Sequence, residues 1–357
     1  MWTSTAASGF GDRTIMLVAM SLLGGLVVGA DATGTNASTQ FWFFIPYLLF
    51  SLVGGWLADR LPRKWLMLGC DEFRGAVLLV SWWALLGATG SAALDEAYHW
   101  RVCVALFLVG ASAATFNPAR NAIIPQIVPP HQLQAGNAVI LVINVIASMV
   151  GMVIIGATLD KEAVESVRLV LLLGAMFFVI SGLFFAFLKP VDFHNAGTAG
   201  VVAAPKPESK VSSLAYVLTH RRVAMLLLID MLLWSSASMV VLAPFGIGQV
   251  FYGVPESELL AYGTRVGATV GAGMLAGGGL IALINTRRES PTVYLLGVAA
   301  GGLAVLAFAL VPWWPVTYAA AFVVGMAGNV AIVGETSLLQ SITPNWVRGR
   351  VMGLSAT

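Results

Sequence analysis

An all-α polytopic membrane fold is what this sequence predicts: two pseudo-symmetric six-helix bundles joined by a linker, the second truncated after about four helices. Three observations carry that expectation. Hydrophobic residues fill 58% of 357 positions and charged residues 10%, with a mean hydropathy of +0.87, whereas a soluble domain carries about 25% charge. The apolar residues fall in blocks of 16 to 25, the length that crosses a bilayer core at about 1.5 Å per residue. The two halves also echo one another in glycine, proline and basic residues.

Taken in order, hydropathy places spans at Thr14–Ala30, Phe41–Ala58, Trp65–Gly87, Trp100–Phe116, Asn137–Leu159 and Leu169–Leu188. After a gap come Val223–Pro244, Tyr262–Ile284, Val293–Val311 and Pro315–Gly334. The segment before Thr14 ends in Gly-Asp-Arg without a small-residue cleavage pattern, so the first span reads as uncleaved. Between spans six and seven, residues 189–222 show no sustained apolar period and read as a flexible linker. The expected domains are therefore 1–188, an N-terminal bundle; 189–222, a linker; and 223–357, an incomplete C-terminal bundle.

Charge sets the expected orientation. With the N-terminus in the cytoplasm, fourteen Lys and Arg fall in inside segments, among them Arg13, Lys210 and Arg222, against Arg101, Lys161 and Arg168 outside. Short cytoplasmic loops carry such an excess, so the N-terminus and the linker are both expected in the cytoplasm. A net charge of +2 with scattered basic residues excludes a nucleic-acid binder. Cys70 and Cys103 lie inside apolar blocks, where a thiol packs as a small apolar side chain.

The repeat is explicit in residues. Gly55-x3-Asp59-x3-Arg63-Lys64 follows span two and Gly279-x3-Leu283-x3-Arg287-Arg288 follows span eight, an offset of 224. Pro125 and Pro344 repeat with an offset of 219. Two related six-helix halves are a transporter architecture. Four spans and the opening of a fifth, Val351–Thr357, make up the second half, so the sequence is expected to be a fragment of a longer chain.

The segment Gly55-Trp-Leu-Ala-Asp59-Arg60-Leu-Pro62-Arg63-Lys64 resembles the signature loop between the second and third helices of the major facilitator superfamily. Asn117-Pro-Ala-Arg120-x4-Pro125 and Leu339-Gln340-x3-Pro344-x3-Arg348-Gly-Arg350 look like the corresponding loops of its bacterial efflux branch, with siderophore and macrolide exporters. The resemblance implies the major facilitator fold and a cytoplasmic gate built from Gly55, Asp59, Arg60, Arg63, Lys64, Arg348 and Arg350. In it, a carboxylate meets the partial positive charge of a helix start; the plainer role for these bases is anchoring at headgroups. Pro62 stands where the family has glycine, and Gly151-Met152-x3-Gly156 lacks the proline of the antiporter motif.

Ionisable groups within spans are costly, about 2.5–3.5 kcal/mol at a helix centre on insertion scales. Asp71 and Arg74 are i,i+3 neighbours and read as a structural ion pair. Glu72 points about 100° away, either inward to the interface or toward a cavity. Asp230 lies roughly 12 Å into span seven with no base at i±3 or i±4; it is a proton carrier or a hydrogen-bonded helix contact. Arg265 either snorkels to headgroups or meets an anionic substrate group. Asp31 and Glu335 border spans and read as interfacial. Gly110-Ala-Ser112 imitates an intramembrane protease motif, but no histidine falls in a span to activate the serine, and small residues there suit close helix packing.

The expected function is secondary active transport, without enzymatic chemistry, cofactor or metal. Proton-coupled export of a small amphipathic molecule, drug-like or siderophore-like, by a monomer working through alternating access fits the residues best. A lysophospholipid transporter-like protein, glycine-rich at Val266–Gly273, is the alternative, as is a transport-inactive receptor or scaffold.

Overall fold

The computed structural model describes residues 7–12, 14–15, 32–86, 96–158, 164–187, 213–284, 291–311 and 313–355, and no strand occurs among them. Its helices are α1 (Ala32–Arg60), α2 (Arg63–Ala84), α3 (Glu96–Ile127), α4 (Leu133–Thr158), α5 (Val164–Phe187) and α6 (Ser213–Thr219). They continue with α7 (Arg221–Tyr252), α8 (Glu256–Ile284), α9 (Pro291–Leu310), α10 (Trp314–Ile342) and α11 (Asn345–Ser355). Helices dominate because a chain in lipid must satisfy its backbone donors and acceptors internally. Every predicted span from the second to the tenth coincides with a helix. Beyond residue 15 the first span lies outside the described residues, as do Asp31, Arg287 and Arg288.

The helices outrun the hydropathy blocks. The motif Asn117–Pro125, read as a loop, is helical within α3, as are Leu339 and Gln340 within α10. Residues 213–219 of the linker form the short helix α6, where Tyr216 stacks on His220 with ring centres 4.0 Å apart. A hydropathy block marks the hydrocarbon depth, while the hydrogen-bonded helix continues past it.

Contacts group the chain into two compact units. Met1–Gln126, Ile146–Lys206 and Pro344–Thr357 form the first, and Ile127–Val145 with Pro207–Thr343 the second. In the first unit α11 packs along α1 and α2 along α5, and α2, α3 and α5 share a core with buried Leu78, Leu106, Val109, Leu171 and Phe178. Ser112 donates to the Cys70 carbonyl at 2.9 Å, a packing contact between α3 and α2.

In the second unit α10 is packed on both sides, by α8 and by α9. The glycine-rich run of α8 supplies part of this surface: a Cβ on Gly273 would strike the Phe322 carbonyl, and one on Gly325 the Val270 carbonyl, whereas one on Gly267 meets nothing within 4 Å. Small residues allow such backbone approach in lipid. Gly325→Ala is therefore expected to destabilise the detergent-solubilised protein by about 1–3 kcal/mol, and Gly267→Ala to leave it unchanged. Equal melting curves for the two variants would reject this packing.

Candidate functional site

The signature segment ends α1, breaks at Pro62 and begins α2. This places Asp59, in the last turn of α1, against α11. Its Oδ1 accepts the Gly349 backbone N–H at 2.7 Å, and its Oδ2 accepts the Arg350 backbone N–H at 3.2 Å and the Arg350 Nε–H at 3.1 Å. Arg63 stands 3.8 Å from the same carboxylate. The approach requires glycine on both helices. A Cβ on Gly55 would lie 2.5 Å from the Gly349 carbonyl oxygen, and one on Gly349 would lie 2.5 Å from Asp59 Oδ1.

Arg63 extends the clasp. Its guanidinium donates to the Ala58 carbonyl at 3.1 Å, the Ala122 carbonyl at 2.8 Å and Asn345 Oδ1 at 3.1 Å. It thereby joins α1, α3 and the first residue of α11. Gln126 also donates to Asn345 Oδ1, at 3.1 Å. Burial lowers the Arg63 pKa while Asp59 opposes that shift. Arg348 is buried as well, and burial and then the charge of Arg63 bring its pKa down to about 10, against the pull of Asp59.

Two residues grouped with the gate lie elsewhere. The Arg60 guanidinium sits 4.2 Å over the Trp56 ring, and Arg60 is exposed. Lys64 donates to the Ala186 carbonyl at the end of α5, at 2.8 Å. Side chains alternate around a helix, so adjacent bases in a motif cannot all face one carboxylate.

A second polar cluster fills the interior of the first unit. Arg74 is fully buried between the rings of Phe116 and Phe178, each 4.7 Å from its guanidinium carbon. It pairs with Asp71 one turn away and with Asp12 at 2.8 Å, and donates to Ser8 at 2.9 Å. Ser181 of α5 donates to the other Asp71 oxygen. The predicted pair is thus one edge of a network that crosses helices. Arg120 lies 5.9 Å from the Phe116 ring, its buried Nε without a partner.

The third cluster lies in the second unit. Asp230 is 4% exposed and Glu335 2% exposed. The two acids and Tyr294 are within electrostatic range of one another. Glu335, expected at an interface, is buried because α10 runs on to Ile342. One buried Glu335 oxygen and the Tyr294 hydroxyl have no hydrogen-bond partner.

The remaining candidates are dispersed. The Glu72 carboxylate lies against Gly182 of α5, and Arg265 is exposed at the edge of the apolar part of α8. Sequence reasoning missed Asp12, Asn345 and the buried amide of Asn137, which donates to Ser337 at 2.9 Å and Gln340 at 2.7 Å. It had the signal for Glu335: that residue lies 219 positions after Phe116, the offset of Pro125 to Pro344.

The chain is similar to Macrolide efflux protein A of Enterococcus faecalis, with 33% identity over 95 residues that span 25% of this chain and 26% of that protein. It is 25% identical over 310 residues to the Lysophospholipid transporter LplT of Photorhabdus laumondii, covering 84% of this chain and 70% of the relative. The crystal structure of the transporter FucP in the outward conformation superposes with a TM-score of 0.73 at 13% identity, over 99% of this chain and 88% of that one. The Major Facilitator Superfamily model matches residues 1–357, and the chain, helical throughout its described residues and carrying the Asp59 clasp, belongs to that superfamily.

Proposed function

We propose that this protein is a proton-coupled exporter of a small amphipathic molecule that works by alternating access, with its coupling proton at Asp230. The observation that carries the reading is an acid, Asp230, that is 4% exposed on the apolar helix α7. A carboxyl in such a place exchanges a proton when water reaches it and holds it when water leaves. The Asp59 clasp supports the alternating part, since it joins α1 to α11 through charge-assisted hydrogen bonds that a rocking motion could make and break. Efflux follows the local similarity to a macrolide exporter. The LplT similarity keeps lysophospholipid as the second substrate class to test.

The test is flux in proteoliposomes holding the full-length protein, with drug-like and lysophospholipid substrates, with and without an imposed pH gradient. Asp230→Asn is expected to retain substrate exchange and to lose gradient-driven accumulation. Accumulation against a gradient by the variant would remove Asp230 from coupling. Membrane orientation is tested separately with cysteine at Ser209. The fourteen-to-three charge bias predicts a cytoplasmic linker, so thiol reagents that cannot cross the membrane are expected to leave that cysteine unmodified in intact cells.

A further inference from the structure

We infer that Arg120 binds the anionic head of the transported molecule, a carboxylate or a phosphate, with the Tyr47 hydroxyl, joined to it through Asn117, as a second donor. The inference rests on the export reading and deepens it by naming the charge of the substrate.

The backbone supplies the first argument. Helices α1 and α3 approach closely at two points: a Cβ on Gly110 would strike the Phe43 carbonyl, and one on Gly54 would lie 2.6 Å from the Thr115 Cα. Tyr47 falls between Phe43 and Gly54 on α1, so its place against α3 is set from both sides. There the Asn117 amide donates to the Tyr47 hydroxyl oxygen at 3.0 Å. Asn117 and Arg120 are i,i+3 neighbours on α3, the spacing that brings two side chains together on one helix face. Arg120 lies about 10 Å along the axis from the end of α3 at Ile127. The charge bias assigns that end to the cytoplasm, the side from which an exporter loads.

Charge supplies the second argument. Arg74 takes both acids of the neighbouring network, Asp12 at 2.8 Å and Asp71 one turn away, and the Asp71 carboxylate also accepts from Ser8 at 3.2 Å and from Ser181. No ion pair among the described residues includes Arg120, and its buried Nε has no hydrogen-bond partner. Its guanidinium lies 5.9 Å from the Phe116 ring, which also meets Arg74 at 4.7 Å. A cation held within a span is costly, and an anion placed against it offsets the cost.

The chemistry is recognition alone. A guanidinium carries N–H donors and no acceptor, and the Tyr47 oxygen already accepts from Asn117, which leaves its own hydrogen to donate. Carboxylate and phosphate oxygens only accept, and they match the planar fork of an arginine. An ammonium head would set donors against donors. The Phe44 and Phe43 rings, 5.6 Å and 6.1 Å from the Tyr47 ring, offer apolar surface for the body of an amphiphile.

Equilibrium binding to the full-length protein in lipid nanodiscs tests this, read as the rise of melting temperature with probe concentration. The probes are dodecanoate, lysophosphatidylglycerol and dodecyltrimethylammonium. Wild type is expected to bind at least one of the two anions about tenfold more tightly than the ammonium. A response to dodecanoate marks a small organic acid as the substrate, and a response confined to lysophosphatidylglycerol marks a lipid; both support the site. Arg120→Gln is expected to erase the preference and Arg120→Lys to keep most of it. An anion preference that survives Arg120→Gln, or a wild type that binds the ammonium as tightly as the anions, overturns the inference. Should Arg120→Gln fail to fold, Tyr47→Phe decides: a loss of about threefold in anion binding with the ammonium unchanged supports the site, and wild-type anion binding overturns it. Binding needs no gradient, so the two readings fail separately. Anion binding without any flux leaves the site and removes the exporter, whereas flux of cations alone leaves the exporter and removes the site.

Discussion

Asp59→Asn is expected to lower transport by about tenfold or more in the full-length protein, with membrane insertion nearly unchanged. The carboxylate accepts from the Gly349 and Arg350 backbones and from the Arg350 side chain at 2.7–3.2 Å. An amide of the same shape has one acceptor oxygen, and its NH2 group turns donors toward donors. Charge-assisted hydrogen bonds are roughly twice as strong as neutral ones. The substitution also leaves Arg63, Arg348 and Arg350 around a neutral group, two of them buried. A loss of roughly 1.4 kcal/mol in the clasp already shifts its equilibrium tenfold. Substrate flux and cysteine accessibility on α1 and α11 are the measurements. Gly349→Ala places a Cβ 2.5 Å from Asp59 Oδ1 and is expected to reproduce the phenotype with every charge intact. Wild-type flux in both variants would take the clasp out of the transport cycle.

Removing the charge of Arg74 is expected to have the largest effect on stability. Arg74→Gln leaves Asp71 fully buried and Asp12 partly buried without the cation that pairs with both. Breaking a buried pair by deleting one partner costs about 3–5 kcal/mol, because the uncompensated charge stays in the interior. The glutamine also gives up the two ring faces of Phe116 and Phe178. Thermal unfolding of the solubilised protein measures the loss. The second change Asp71→Asn removes one stranded acid, so the double variant is expected to be more stable than Arg74→Gln alone. If the double variant is less stable than the single one, the charge balance is not what holds this cluster together.

How far the two sites were legible differs with the range of the contacts. The Asp59 motif announced itself because its residues are close in the chain and their order is unusual. Its partners Gly349 and Arg350 lie 290 and 291 residues away, yet they sit in a second motif. Asp71 and Arg74 were readable at i,i+3, whereas Asp12 and Ser181 reach them from other helices. Glu335 was misplaced because the apolar run of α10 fades before the helix ends.

By itself the sequence determined the all-helical membrane architecture, the position of nine described helices and the two-fold repeat. Those properties follow from residue composition summed along the chain, and the bilayer requires long, continuous apolar segments. The tertiary structure alone decided which charges meet: Asp59 with Arg350 while Arg60 lies on Trp56, and Arg74 with two acids. The physical reason is that lipid is as apolar as the bundle interior, so the contrast that marks the buried face of a soluble helix is weak here. Which face of a spanning helix turns inward is settled by close packing at small residues and by polar partners on other helices.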